Sequence, residues 1–271
     1  MRNVARQAGA GPVLAAWTDI VDSLRNFKSW FFMARVDIRL RYRRTVIGPF
    51  WMVLTMGMSI ACLGVVFKIL FKQELITFLP YLSAGIICWA FITLVVGDGC
   101  TVLYASKEIL KNVPFNFMEL VLRMISRNFL TFIHNLVIFV GVALYFGVNA
   151  WGYLPLFFVG VFLYLICGTW MALLAGIICA RYRDVGQLIT TVLSILFLVT
   201  PVFWQKELLG RHQIIALINP FNHYLEVLRA PLLGQVPPMT SYIAVLILGL
   251  FGWLITFAVF ARTRHRIVYW L

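Results

Sequence analysis

The chain has few acidic residues and few charged residues of any kind. Of its 271 residues 12% are charged and only 10 are Asp or Glu, while 62% are apolar and the mean hydropathy is +0.91. Soluble proteins are about 25% charged and about half apolar. A soluble fold of this size would expose much of that apolar surface to water. The composition therefore excludes a disordered chain or an ordinary soluble enzyme and predicts an integral membrane protein.

Several motifs that carry chemistry are also absent. No glycine is followed by lysine, so the chain has no GxxxxGK[ST] phosphate loop, and it has neither HExxH nor GxSxG. The four histidines are scattered, and no two of the five cysteines form a CxxC pair. We therefore predict buried, reduced thiols, no metal site, no cofactor bound by this chain and no catalytic residue.

Carboxylates are missing from the middle of the apolar stretches as well. Only Asp98 lies within or at the end of a predicted span, where we expect it to pair with an arginine. Ion-coupled transporters place ionisable side chains near the midplane of the membrane. If this chain moves a solute uphill, the energy must come from another subunit.

Six apolar stretches are long enough to cross a bilayer as helices, which takes about 20 residues. Helices are favoured over barrel strands because the runs are continuous and do not alternate. The fifth of them is the shortest. The predicted spans are residues 48–71, 78–100, 124–146, 153–180, 187–204 and 242–260.

Lysine and arginine are distributed unevenly, within a net charge of +13. Eighteen of the 23 lie in segments 1–47, 101–127, 181–183 and 262–266, which share one side of the predicted membrane. Basic residues accumulate in cytoplasmic loops, so both termini of this multi-pass protein are predicted to lie in the cytoplasm. In a soluble chain this charge would suggest nucleic acid. Here the excess of basic residues sets the orientation of the chain in the membrane, and no nucleic-acid partner is expected.

The cytoplasmic N-terminus, residues 1–47, contains a predicted amphipathic helix at 24–44 that lies on the membrane surface. Basic residues on one face would meet anionic lipid headgroups. A flank that only enforces orientation is the alternative. The apolar stripe of this helix consists of Leu24, Phe27, Phe31, Ala34, Ile38 and Tyr42, and its basic face of Lys28, Arg35, Arg39 and Arg43.

Residues 48–271 form the predicted membrane domain, which contains two segments that are neither spans nor simple loops. The polar stretch at about 103–119 fits a short helix followed by a bend at Pro114, a shape that docks onto a soluble partner; a solvated loop is the alternative. The stretch at about 205–240 is apolar and contains Asn219-Pro220, typical of a helix start, with Pro231 ending that helix. Two helices too short to span predict a re-entrant hairpin that closes a pore; a plain surface hairpin is the alternative.

Two further polar groups have competing interpretations. Arg181, Arg183 and Asp184 form a compact turn that is either neutralised locally or in contact with a partner subunit. His134 and Asn135, inside the third span, are expected to hydrogen-bond between helices rather than to bind a ligand.

Seven short motifs, in order along the chain, resemble those of polysaccharide-export ABC permeases. The similarity covers nearly everything from about residue 24 onward. The first motif reads Arg-Tyr-Arg-Arg-Thr-Val-Ile-Gly-Pro-Phe-Trp, at the start of the first span. The motifs are residues 41–51, 81–85 with Trp89, 127–129 with 134–135, 180–184, 200–204, 219–221 through 229–234, and 264–271.

This resemblance implies homodimers with twelve helices around a conduit, each protomer docked on one of two copies of an ABC ATPase that binds ATP and Mg²⁺. The implied cargo is a lipid-linked polysaccharide such as O-antigen, capsule or teichoic acid. Other branches show a basic residue followed by Phe-Pro in the coupling region, whereas this chain reads Lys-Asn-Val-Pro-Phe from 111 to 115. The coupling residues implied are Lys107, Glu108, Lys111, Asn112, Pro114 and Phe115. The outer gate residues implied are Asn219, Pro220, Phe221, Tyr224 and Arg229.

The same resemblance implies that spans one and five line the conduit. Aromatic rings there would offer weak contacts along which the faces of sugar rings can slide. At the junction of the interfacial helix and span one, Arg41, Arg43 and Arg44 are placed to bind a lipid-linked phosphate through charge-assisted hydrogen bonds. A purely topological or headgroup role for these arginines is the alternative. The predicted conduit residues are Phe50, Trp51, Phe197, Phe203 and Trp204.

Two other classes of function remain open. An ABC exporter of a small lipid or drug would share the six-helix plan. A membrane-embedded glycan-processing enzyme would need clustered carboxylates in its loops, and the outer loops offer only Glu74, Glu207 and Glu226, poorly clustered.

Overall fold

The computed structural model describes residues 11–43, 47–48, 50–71, 74–112, 115–206, 210 and 213–271. These residues form helices and connecting turns, without a strand among them. The α-helices are Pro12–Arg25 (α1), Phe27–Arg41 (α2), Phe50–Phe71 (α3), Leu75–Ala105 (α4), Lys107–Asn112 (α5), Phe117–Phe146 (α6), Leu154–Arg181 (α7), Asp184–Val199 (α8), Ile214–Ile218 (α9), Pro220–Leu232 (α10) and Met239–Trp270 (α11). A 3-10 turn, Trp151–Tyr153, precedes α7.

Five of these helices, α3, α4, α6, α7 and α11, are long and apolar enough to cross a membrane. The all-helical membrane fold is therefore confirmed in its coarse form. Helices α4, α6 and α11 run past their predicted spans because helix continues beyond the apolar core of those segments, whereas α3 and α7 match theirs within two residues. Helix α6 begins at Phe117 and not near residue 124, and α11 extends to Trp270, well beyond its predicted end at residue 260.

The fifth predicted span, residues 187–204, corresponds to a shorter element. Helix α8 has 16 residues and ends at Val199, because Thr200 is extended and Pro201 follows. Sixteen residues of helix rise about 24 Å, less than the roughly 30 Å of a bilayer core. A sixth crossing at this place stays a prediction.

The N-terminal segment forms two helices where the sequence predicted one at 24–44. Helix α1 ends at Arg25, and Asn26 sits at the break, where its N–H donates to the carbonyl of Asp22. The indole of Trp30 donates to the carbonyl of Ser23 at 2.9 Å and spans the break. Helix α2 ends at Arg41, and the predicted Arg44 lies outside the described residues.

The predicted apolar stripe of this segment has two different environments. Ala34 and Ile38 are buried where α2 packs against α6, while Leu24, Phe27 and Phe31 are exposed. One part of the stripe thus attaches the helix to the bundle, and the other part remains available to lipid.

The core of the bundle is the pair α4 and α7, which approach each other closely at glycines. A Cβ atom built on Gly99 would lie 2.7 Å from the Cα of Ala172. One turn along, the corresponding atom on Gly176 would lie 3.1 Å from the carbonyl oxygen of Gly99. Such small-residue contacts drive helix association in membranes, where no hydrophobic force acts between helices. Helix α3, in contrast, is mostly exposed.

The cysteines follow the expectation with one exception. Cys88, Cys100, Cys167 and Cys179 are free and buried, whereas Cys62 is exposed on α3. The prediction of a buried thiol is wrong at Cys62 because α3 packs on the bundle along only part of its surface.

The close contact at Gly99 gives a direct test of the α4–α7 interface. We expect Gly99→Ala to lower the free energy of unfolding by about 1–3 kcal/mol, because the new methyl meets a Cα on a rigid helix. The measurement is SDS-induced unfolding in mixed micelles, followed by tryptophan fluorescence. Gly97→Ala is the matched control: nothing lies within 4 Å of its Cβ, so only the gain of about 1 kcal/mol in helix propensity should appear. Equal effects of the two substitutions would contradict this packing.

Candidate functional site

Helix α10 begins with the cap that the sequence predicts. The side-chain oxygen of Asn219 accepts from the N–H of Phe221 at 3.0 Å, and Pro220 occupies the first helical position. The amide nitrogen of Asn219 donates to Thr200 Oγ at 2.8 Å, which ties the cap to the segment after α8. The predicted end at Pro231 is wrong: the helix runs to Leu232 and the chain reverses at Gly234, whose φ is +71°.

The inner face of α10 carries a buried arginine, Arg229, that donates a hydrogen bond to the backbone of the segment after α8. Arg229 Nη1 donates to the carbonyl of Pro201 at 2.6 Å, and its Nη2 lies 3.2 Å from Glu226 Oε1. The guanidinium also lies over the ring of Tyr81, 4.3 Å from its centroid. Arg229 and Glu226 are only 4% and 7% exposed. We call Tyr81, Glu226, Arg229 and the carbonyls of Pro201 and Trp204 the Arg229 anchor.

Tyr81 completes this anchor from α4. Its hydroxyl lies 3.0 Å from the carbonyl oxygen of Pro201 and 2.8 Å from that of Trp204. Non-helical backbone at membrane depth must find its hydrogen bonds inside the protein. The anchor meets this requirement for the carbonyls of Pro201 and Trp204. Gly85, one turn further along α4, lets the carbonyl of Val202 approach so closely that a Cβ there would overlap it.

A chain of aromatic rings runs beside the anchor. Phe197 and Phe203, both predicted conduit residues, have ring centroids 5.3 Å apart. Trp89 continues the chain, 5.9 Å from Phe197 and 6.0 Å from the gate residue Phe221. Phe67 of α3 lies 5.5 Å from Phe203. The sequence prediction did not single out Phe67 or Trp89 as conduit residues, since aromatic residues are common throughout the chain.

The remaining predicted conduit and gate residues are placed differently. Phe50 and Trp51 lie at the first turn of α3, exposed by 62% and 42%, at the opposite end of that helix from Phe67. The indole of Trp204 donates to the carbonyl of Leu198 at 3.1 Å. Tyr224 is buried on the inner face of α10, 5.8 Å from the ring of Tyr164. The five predicted conduit residues thus fall at two separate places.

Between α4 and α8 lies a groove of about 330 Å³ with an aromatic end and a row of hydroxyl groups. Thr190 and Ser194 of α8 donate to carbonyls of their own helix, as Thr93 does on α4. Their oxygens retain lone pairs that can accept from a ligand. The groove is lined by Trp89, Thr93, Gly97, Thr190, Leu193, Ser194 and Phe197. The sequence analysis did not predict this groove; Thr190 and Ser194, four residues apart in an apolar helix, are the signal that could have indicated it.

At the other end of the bundle, near α5, four charged side chains join three helices. Arg123 of α6 binds Asp37 of α2 through two hydrogen bonds, its Nε donating at 2.8 Å. Arg127, one turn further, donates to Asp98 of α4 at 2.8 Å and lies 4.0 Å from Asp37. The predicted pairing of Asp98 with an arginine is confirmed. The role of Asp37 could not be predicted from the neighbouring sequence, because its partner Arg123 lies 86 residues away.

The predicted coupling segment contains the expected short helix. In α5, Lys107 and Glu108 form an exposed pair at 3.9 Å. The ammonium of Lys107 lies 5.5 Å from the ring centroid of Tyr104, and the guanidinium of Arg183 lies 4.5 Å from the same ring. This ring therefore connects α5 to the turn before α8. Lys111 and Asn112 are the last residues of α5, Phe115 packs against the core, and Pro114 lies outside the described residues.

Three smaller predictions can be compared with the structure. Arg41 and Arg43 are exposed at the end of α2, as access to a soluble or membrane-bound ligand requires. Arg181 lies over the rings of Tyr182 and Trp270 at 5.2 and 5.3 Å. The interhelical bond expected of His134 is wrong: its Nδ1 pairs at 2.6 Å with the carbonyl of Leu130, one turn earlier in the same helix.

The fold and this site define a multi-pass membrane protein in which an aromatic groove adjoins a short buried helix. Residues 28–233 match the model of the ABC-2 type transporter family, more than half of the chain, and the chain belongs to that family. A similar protein is the O-antigen export system permease protein RfbA of Myxococcus xanthus, 21% identical over 209 residues, which are 77% of this chain and 76% of RfbA. The membrane subunits of this family are not themselves catalysts and work with an ABC ATPase. The resemblance found in the sequence motifs is thereby confirmed.

The Arg229 anchor can be tested by removing its charge. We expect Arg229→Met to lower the free energy of unfolding by about 3 kcal/mol, because Glu226 loses its buried partner and the carbonyl of Pro201 loses a donor. Adding Glu226→Gln should restore part of that loss. SDS-induced unfolding again provides the measurement.

Lys206→Met is the matched control for this experiment. Lys206 also pairs with Glu226, at 3.6 Å, but its side chain is 38% exposed. Its loss should therefore cost no more than about 1 kcal/mol. If the two single substitutions destabilise the protein equally, Arg229 is not an anchor.

Proposed function

We propose that the chain forms the channel of an ATP-driven exporter that moves a lipid-linked polysaccharide, such as O-antigen or capsule, across the bacterial inner membrane. The observation that carries this proposal is a pair of polar stripes on two helices that are otherwise apolar and exposed. Each stripe is described below. The name of the similar permease RfbA supports the same class of cargo.

The first stripe lies on α8. Gln187, Thr190, Thr191 and Ser194 recur at three- and four-residue spacing, so they share one face, and all four are exposed. Among the residues of α8 only Leu193 is buried. A helix face with an amide and three hydroxyls gains nothing from contact with acyl chains. It is typical of a face that meets water, a polar ligand or another protein chain.

The second stripe lies on α3. Trp51, Thr55 and Ser59 follow one another at four-residue spacing and are exposed. Thr55 donates to the carbonyl of Trp51 at 3.0 Å, and Ser59 to that of Thr55 at 2.8 Å. This stripe places Trp51 on the same face as two hydroxyls, which supports its predicted role in the conduit.

Two copies of the chain would give both stripes a polar environment. In the proposed homodimer, α3 and α8 of each protomer face a shared conduit, and α8 with residues 200–204 completes the sixth crossing. Helices α9 and α10 form the re-entrant outer gate, held by the Arg229 anchor. Along this path Phe197, Phe203 and Trp204, with Phe50 and Trp51 at the inner end, offer ring faces, and the hydroxyls accept weak hydrogen bonds from sugars.

The energy would enter at the opposite end of the bundle. We place α5 and the residues around it, including Lys107 and Glu108, against one of two ATPase subunits that bind ATP and Mg²⁺. The contacts of Tyr104 with Lys107 and Arg183 support transmission from this segment toward α8. With both termini in the cytoplasm, Arg41, Arg43 and Arg44 lie on the same membrane face and receive the lipid-linked phosphate.

The direct test of this function is deletion of the gene, followed by location of the polymer. We expect lipid-linked polysaccharide to accumulate on the cytoplasmic side. Complementation should require both the chain and an ATPase partner that retains its phosphate-loop lysine. Complete loss of polymer would instead indicate a role in synthesis, and unchanged surface polymer would exclude the proposed cargo.

The α8 stripe gives a sharper prediction. The double substitution Thr190→Val and Ser194→Ala preserves shape and removes two acceptors from the groove. We expect polymer export in the complemented deletion strain to fall about fivefold, corresponding to the ~1 kcal/mol of a modest hydrogen bond. Membrane insertion should remain normal because the helix becomes more apolar.

Thr101→Val is the matched control, since this exposed threonine also donates to its own helix, at the carbonyl of Asp98, but lies outside the groove. Export should be unchanged in this variant. Wild-type export by the α8 double variant would remove the stripe from the polymer path.

A further inference from the structure

A single buried carboxylate connects three segments that are far apart in the sequence. Asp19 of α1 has no exposed surface. Its Oδ1 accepts from the N–H of Met118 at 3.1 Å, and its Oδ2 from the N–H of Phe117 at 3.4 Å. Arg264 of α11 completes the site, with Nε and Nη2 at 3.0 and 2.9 Å from the same Oδ2. The carboxylate therefore touches α1, the first turn of α6 and the end of α11.

Asp19 acts as the cap of a helix to which it does not belong. The first N–H groups of any helix lack partners within it, and a carboxylate there also interacts favourably with the helix dipole. Asn116 occupies the cap position of α6 but makes no capping hydrogen bond with its side chain. Asp19, 98 residues earlier, supplies the acceptor instead. The start of α6 is thus held by α1.

The electrostatics of this site depend on all of its members. Burial raises the pKa of the Asp19 carboxyl, while Arg264 and the two peptide N–H groups oppose that rise. Removing either charge would leave the other one poorly compensated in an apolar environment. The ring of Phe117 packs against α11, with its centroid 5.7 Å from the guanidinium of Arg264 and 6.2 Å from the ring centroid of Phe260.

We call Asp19, Arg264 and the N–H groups of Phe117 and Met118 the Asp19 joint. This joint lies next to the coupling segment. Phe117 is the first residue of α6, directly after the segment that begins with α5. Leu110 of α5 is buried and belongs to the same core cluster as Phe117 and Phe260. Helix α5 also packs against α11, the helix that carries Arg264. We expect a displacement of α5 to reach the Asp19 carboxylate through this contact and through Phe117.

We propose that Asp19 is a positioning residue that makes the coupling segment, α1 and α11 move as one body when the ATPase changes conformation. This inference rests on the proposed function, because it assumes a partner that pushes on α5. It gives α1 and α11 a role in the proposed export: both would carry the movement of the coupling segment to the rest of the bundle. Without the Asp19 joint, α5 would move independently of α1 and α11.

The test uses the full chain in complex with its ATPase partner, reconstituted in vesicles with lipid-linked polymer. We expect Asp19→Asn to leave ATP hydrolysis within about twofold of wild type and to reduce the polymer exported per ATP about tenfold, the size of an ordinary coupling free energy. Arg264→Gln should act alike, and the double variant should be no worse than the more impaired single variant. Arg262→Gln, an exposed arginine on the same helix, should behave as wild type.

Two outcomes would overturn the inference: a wild-type export ratio in Asp19→Asn, or losses in the double variant that simply add. If Asp19→Asn does not assemble, Arg264→Lys replaces it, because it retains the charge and loses the paired donors. Its export ratio must then fall below that of wild type.

A second measurement separates this inference from the proposed cargo. Amide hydrogen exchange across residues 117–121 is followed in the complex with and without ATP. In wild type these amides should stay protected in both states, and in Asp19→Asn protection should fall when ATP binds. If the wild-type complex exports no polymer, the cargo is wrong, yet this difference would still support the joint. Identical exchange in the two proteins would reject it.

Discussion

A lipid bilayer offers no hydrogen bonds, and this constraint determines where the chain can be irregular. Residues 200–204 leave the helical path, and the carbonyls of Pro201 and Trp204 in this segment need donors from elsewhere in the protein. Arg229 and Tyr81 supply those donors from two different helices, at 2.6 to 3.0 Å. Because the guanidinium also pairs with Glu226, the charge that reaches the carbonyls is itself compensated. The short helix α10 can therefore stay buried beside the break, as the proposed outer gate requires.

At the α5 end of the bundle the groups that need partners are acids and bases, and burial within the protein, not lipid, removes their contact with water. Arg123 and Arg127 of α6 each find a carboxylate on another helix, Asp37 on α2 and Asp98 on α4. Asp19 finds Arg264. Each pair costs desolvation, so it stabilises little beyond an apolar contact, but breaking one partner is expensive. Such pairs specify which helices sit together, and they attach the two N-terminal helices to the bundle in one arrangement.

Local sequence signals predicted the features that depend on nearby residues. Apolar runs predicted five spans that became long helices, and Asn219 with Pro220 predicted the start of α10. The break at Asn26 was missed because the apolar periodicity continues through it. The partners of Asp19 and Asp37 were missed for a different reason: they lie 86 to 245 residues away, and only the packed structure brings them together. Trp89 and Phe67 were not chosen as conduit residues because nothing local distinguishes one aromatic ring from the others.

In the proposed conduit, the polar stripes on α3 and α8 would bind a polymer without stopping it. Thr55, Ser59, Thr190 and Ser194 all donate their hydroxyl hydrogen to their own helix, so toward a ligand they can only accept. Such a hydroxyl accepts a hydrogen bond from a passing sugar hydroxyl, which gives up a hydrogen bond to water in exchange, so the net gain is small. Each contact then contributes on the order of 1 kcal/mol or less, close to thermal energy. A carboxylate or an arginine in the same places would bind more tightly and fix one register. Chains that advance step by step need the weaker set, and its regular four-residue spacing repeats the same contact along the path.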